Sequence, residues 1–139
     1  MQREASLGLS RWTLRIDGLF LALAGSVALI AETAGHFFGV GPLAATLGSP
    51  HTIGGFEAHA LAIIIAVLLL RGAALADRRP WHVLGLSVHL LLGLANFLFW
   101  SSFVQQDLLA VGFVTTALHM VFVVAHAACL WIADERQAL

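Results

Sequence analysis

The chain has 139 residues, of which 60% are hydrophobic and 11% charged, with a formal net charge of −1 and a mean hydropathy of +0.91. That is too apolar for a soluble domain of this size, and the near-neutral charge excludes the basic surface that a nucleic-acid partner requires. The one cysteine, Cys129, excludes an internal disulfide framework and any paired-cysteine redox motif, and reads as a small packing residue.

The first apolar stretch runs roughly from residue 16 to 38. A basic start followed by an apolar run resembles a secretory signal, but the run reaches Glu32 without a small-residue cleavage site, so a retained helix is expected. Gly18, Gly25 and Glu32 recur at seven-residue spacing, and Glu32 stands one turn from His36, within contact range of it. Asp17, close to Arg15 at the inner boundary, is expected to snorkel with it and to have no further role.

The loop GVGPLAATLGSPHTIGG, residues 39 to 55, is long, glycine-rich and uncharged apart from His51, and is expected to fold back as a lid. The second stretch, 56 to 76, carries His59 on a stripe of small residues (Gly55, Ala62, Ala66, Ala73), which turns His59 inward and Glu57 toward the headgroups. ADRRPW, residues 76 to 81, is a tight turn, with Pro80 suited to the first turn of the next helix and Asp77 able to cap nearby amides. The third and fourth stretches cover roughly 81 to 103 and 107 to 133.

Each stretch is long enough to cross a hydrocarbon core of about 30 Å as a helix. None alternates apolar with polar residues as barrel strands do, so helices are the expected spanning elements. All seven basic residues are arginines (Arg3, Arg11, Arg15, Arg71, Arg78, Arg79, Arg136), and they avoid the first and third connections. The positive-inside rule then places both termini and the second connection in the cytoplasm. Trp12, Trp81, Trp100 and Trp131 fall at the predicted membrane boundaries, as amphipathic rings tend to. The expected architecture is an all-α integral membrane four-helix bundle, up-down-up-down, forming a single transmembrane domain over 1–139. A bacterial inner (plasma) membrane is the expected location.

The chemistry concentrates on HVLGLSVH, residues 82 to 89, and HMVFVVAH, residues 119 to 126. Seven residues is almost two helical turns, so each histidine pair shares a face, separated by about 10.5 Å along the axis. In antiparallel helices joined by a short turn, residues at equal depth have a constant index sum. His89 with His119 and His82 with His126 both total 208, which centres the turn at residue 104, in the SSFVQQ connection. Gly85, His89, Gly93 and Asn96 share one stripe and Gly112, Thr115, His119 and His126 another. The two glycines beside His89 are expected to clear space for a flat ligand, while Asn96 and Thr115 are explained as interhelical hydrogen-bond partners.

A single intramembrane histidine is adequately explained by interhelical bonding. Four in one register, with Glu32 and His36 besides, point to function, since ionisable groups inside a membrane are functional candidates. His82, beside Trp81, can also be read as merely interfacial, and His51 as a solvated loop residue. The leading expectation is a b-type haem or another transition metal bound for electron transfer, with His89, His119, His126 and His82 as cofactor ligands and His89/His119 as the axial pair. Two haems one heptad apart would crowd, so one macrocycle at most is expected. Glu32, His36 and His59 form a second candidate metal site.

Two other classes compete: a proton or metal-ion translocator using a His/Glu relay, and a non-catalytic accessory or assembly subunit. The partners implied are the lipid bilayer, a membrane quinone or another membrane subunit, and a second copy of the chain. Ser101 and Ser102 have no acid–base constellation near them in sequence, so no nucleophilic or hydrolytic site is evident.

Overall fold

The structure, a computed structural model, describes residues 2–50 and 52–137. It is all-helical: α1 (Gln2–Phe38), a short 3₁₀ turn (Ala44–Thr46), α2 (Thr52–Gly72), α3 (Arg79–Leu98), α4 (Trp100–Gln105) and α5 (Leu109–Gln137). Among the described residues, four helices are long and apolar enough to cross a membrane, over Leu7–Phe38, Thr52–Gly72, Arg79–Leu98 and Leu109–Ala133.

The polarity of the chain is inverted relative to a water-soluble protein. Leu23, Ile30, Leu91, Leu98 and Val124 are largely exposed, whereas Asp17, Glu32, His82, His89, Thr116, His119 and His126 are buried. Exposed aliphatic groups on a helix cost nothing against acyl chains, and polar groups gain by facing one another inside. The apolar surface is therefore a lipid-contacting one.

The chain divides into two compact units, one formed by residues up to Leu14 together with those from Gly72 onward, the other by Arg15–Arg71. In the second unit, glycines of α1 let α2 approach closely. A Cβ on Gly18 would meet Leu70 and the carbonyl of Ala66, and one on Gly25 would meet the carbonyl of His59 and the side chain of Ile63. These contacts run in opposite directions along the two helices, so α1 and α2 are antiparallel here. Past Phe38 the chain turns at Gly39, whose φ of 61° suits glycine. The loop then folds back on the end of α1: the Gly48 amide donates to the His36 carbonyl at 3.1 Å, and Leu43 lies against Gly35. The oily loop thus packs on the end of its own helix.

In the other unit α3 and α5 are the principal partners. The buried face of α3 consists of His82, Gly85, His89 and Gly93. That of α5 runs through Gly112, Thr116, His119, Phe122, His126 and Cys129, an i, i+3, i+4 pattern. Pro80 stands in the first turn of α3, and the Arg79 amide donates to Asp77 Oδ1 at 3.1 Å. Arg78 donates from Nε to the carbonyl of Ala73 at 3.2 Å, and Trp81 covers Gly72.

The third helix ends earlier than the apolar run suggests. Its helical geometry stops at Leu98, and Phe99 links it to the short α4. α4 is held to α5 by aromatic packing: Trp100 meets Phe113 edge-on at 4.8 Å between centroids, and Phe103 lies over Gly112. The turn into α5 passes through Asp107 at φ 57°, one of the few non-glycine residues that tolerate this region. Conversely, α1 begins at Gln2 rather than near residue 16, and its early turns supply Ser10 to the histidine core.

Candidate functional site

The two histidine stretches face each other in one register. His82 Nδ1 and His126 Nδ1 lie 2.8 Å apart, and His89 Nδ1 and His119 Nδ1 lie 2.9 Å apart. Each is a direct imidazole–imidazole hydrogen bond, in which one Nδ1 carries the proton and the other accepts it. The levels are linked through ring stacking. His89 stacks on His126 with centroids 6.2 Å apart at an interplanar angle of 19°, and on Phe122 at 4.7 Å. His89 and His126 have no exposed surface.

His82 is buried against its neighbours. It is 3% exposed, and its Nε2 lies 2.8 Å from Ser10 Oγ. This creates a chain from Ser10 through His82 to His126 that has two consistent proton arrangements. In one, the Ser10 hydroxyl donates to Nε2 and His82 Nδ1–H donates to His126. In the other, His126 Nδ1–H donates to His82, whose Nε2–H donates to Ser10.

The glycines of α3 do not leave the expected clearance for a flat ligand. A Cβ at Gly85 would fall on the His126 ring, and one at Gly93 on the Met120 methyl group. The space beside His89 is thus occupied by side chains of α5. With the paired rings in direct contact as well, a macrocycle between His89 and His119 would require α3 and α5 to part.

Above the histidines, Asn96 donates from Nδ2 to Thr115 Oγ1 at 3.2 Å and to Thr116 Oγ1 at 3.1 Å. Both threonine hydroxyls donate to carbonyls of their own helix, at Val111 and Gly112, and accept from Asn96. Thr116 is the buried one of the two. Interhelical bonds in membranes contribute about 0.6 kcal/mol each on average. Asn96→Leu is therefore expected to lower the unfolding free energy in detergent by about 1 kcal/mol, measured by denaturant titration, with the metal content unchanged. Cys129 packs at the opposite end, its Sγ 3.6 Å from Thr13 Oγ1.

The second candidate group is brought together only in part. His59 Nδ1 lies 3.0 Å from Glu32 Oε2, and with Glu32 ionised the imidazole donates. Gly55 makes room for this carboxylate, since a Cβ there would strike it. His36 is joined to neither: its ring meets Phe37 edge-on at 4.7 Å, and its Nδ1 is buried without a hydrogen-bond partner among the described residues. An i, i+4 spacing allowed Glu32 to meet His36, but the carboxylate is oriented across to α2. His51 lies outside the described residues, and Glu57 is exposed.

Asp17 departs furthest from its expected place. It has no exposed surface and does not snorkel. Its presence inside an apolar run was the available signal, because a carboxylate is costly in lipid unless it is partnered.

No family model matches this chain, and no curated protein or solved structure matches it.

Proposed function

We propose that this chain is a membrane-embedded metal-binding protein whose histidine core holds a transition-metal ion, with electron transfer as the activity a redox-active ion would support there. The observation that carries this reading is the pairwise convergence of four buried imidazoles, nitrogen to nitrogen, at 2.8 and 2.9 Å. Neutral imidazole is a good ligand for zinc, copper, iron and nickel, and a protein interior that excludes water strengthens such binding. The close contact of the rings favours an ion over a haem.

Metal analysis of the detergent-purified protein after loading with iron, copper or zinc tests the reading. About one equivalent of a transition metal per chain is expected in the parent and in Glu57→Ala. His89→Ala and His119→Ala are expected to retain less than a tenth of that. A parent that holds no more metal than the two histidine variants overturns the reading.

A second reading is favoured by the Ser10–His82–His126 chain, whose two proton arrangements interconvert by passing protons along it. Such a relay would conduct protons with no metal bound. Reconstituted in pH-sensitive vesicles, the protein is then expected to dissipate a proton gradient, and His82→Phe to lower that rate at least tenfold. A rate equal to that of protein-free vesicles removes the relay.

A further inference from the structure

The unit containing Arg15–Arg71 has a cavity of about 490 Å³ at the end of α1, between that helix, the loop and the start of α2. Its size lies within the range of small-ligand sites, which are typically apolar with a few placed polar groups. Phe37, Pro50, Ile53 and Phe56 provide the apolar walls, and Glu32 and His36 the ionisable groups. Phe37 and Ile53 are each 66% exposed, so the rim is continuous with the lipid-contacting surface. An occupant would enter from the bilayer.

The polar groups define what that occupant must offer. Thr33 and Thr52 already donate their hydroxyl protons to the carbonyls of Leu29 and Ser49. The Glu32 carboxylate is bound to His59. Ser49 also lines the cavity and is engaged elsewhere. Of the two ionisable groups His36 remains, and its buried Nδ1 has no partner among the described residues. An unbonded lone pair is cheaper to bury than an unbonded N–H, so the proton belongs on Nε2, which makes His36 a donor at the cavity wall. A fatty-acid carboxylate would meet the Glu32 carboxylate and be repelled. A neutral carbonyl on a flat apolar ring would accept from His36 and pack between Phe37 and Phe56.

We infer that this cavity binds a membrane-soluble quinone, a neutral ring carrying carbonyl acceptors, with His36 as the hydrogen-bond donor. The site belongs to a different unit from the paired histidines and stands or falls independently of the metal reading.

The test compares two probes on the full-length protein in detergent by calorimetric titration: a decyl-substituted benzoquinone, and decylbenzene, which has the tail and ring without the carbonyls. The quinone is expected to bind at least tenfold more tightly to the parent. That preference should disappear in His36→Leu, and Ile53→Trp, which fills the cavity, should weaken both probes. Equal affinity of the parent for the two probes would show only a lipophilic groove and overturn the inference, with no variant needed. Undiminished quinone binding in both His36→Leu and Ile53→Trp would overturn it as well.

Discussion

His126→Ala is expected to lower the stability of the protein by about 3 kcal/mol and to reduce bound metal to background. His126 has no exposed surface, fills the clearance left by Gly85, bonds His82 at 2.8 Å and stacks on His89. Truncation therefore opens a ring-sized void and strips His82 of one bond. His126→Phe separates the two roles, because a phenyl ring retains most of the packing while offering no ligand nitrogen. The melting temperature in detergent is expected to fall most in His126→Ala and least in His126→Phe, with metal lost in both. Metal retained by the phenylalanine variant would contradict the metal reading. Unchanged melting of the alanine variant would show that the histidine pair does not hold α3 to α5.

The second large effect comes from a residue with no functional group. Gly85→Ala is expected to destabilise by about 1–3 kcal/mol, since its methyl group would overlap the His126 ring and overpacking costs that much. Gly8→Ala is the counterpart. Nothing lies within 4 Å of a Cβ at Gly8, so the same exchange there should stabilise α1 by the helix-propensity difference of about 0.5–1 kcal/mol. Opposite signs for one chemical change would establish that the α3 glycine serves packing and not flexibility. Because the displaced group is His126, the Gly85 variant is also expected to hold less metal, although no ligand has been removed. Equal stability of the two alanine variants would mean that His126 moves aside freely.

The helical character of the chain and the shared register of its paired histidines were legible in the residues. Apolar stretches of spanning length leave helices as the available structure, because backbone amides in lipid must bond within their own segment. The pairing of His82 with His126 and of His89 with His119 followed from index sums alone, since two antiparallel helices joined by a short turn keep a nearly constant register. The break at Phe99 did not disturb this, because the turn and α4 return the chain at the same depth. Asn96 with the threonines was legible for the same reason, although register could not choose between Thr115 and Thr116, adjacent residues that both come within reach.

What the chain's periodicity could not decide was which neighbour each inward group takes. Glu32 is one turn from His36, yet it bonds His59, because its orientation and the opening at Gly55 determine its partner, and sequence spacing does not. Gly85 and Gly93 read as clearance, but only the packed helices reveal that His126 and Met120 occupy it. Ser10 lies before the predicted start of the first span, and its bond to His82 joins residues 72 positions apart. Asp17 reads locally as an interfacial partner of Arg15, and its burial emerges only once the helices are assembled. The sequence by itself determined the four long helices, their apolar faces and the register of the paired histidines, all of which follow from local periodicity and the cost of polar groups in hydrocarbon. Beyond the paired histidines and the Asn96–threonine group, tertiary structure alone decided the partners, because contact depends on interhelical distance and rotamer, and neither is a property of a single helix.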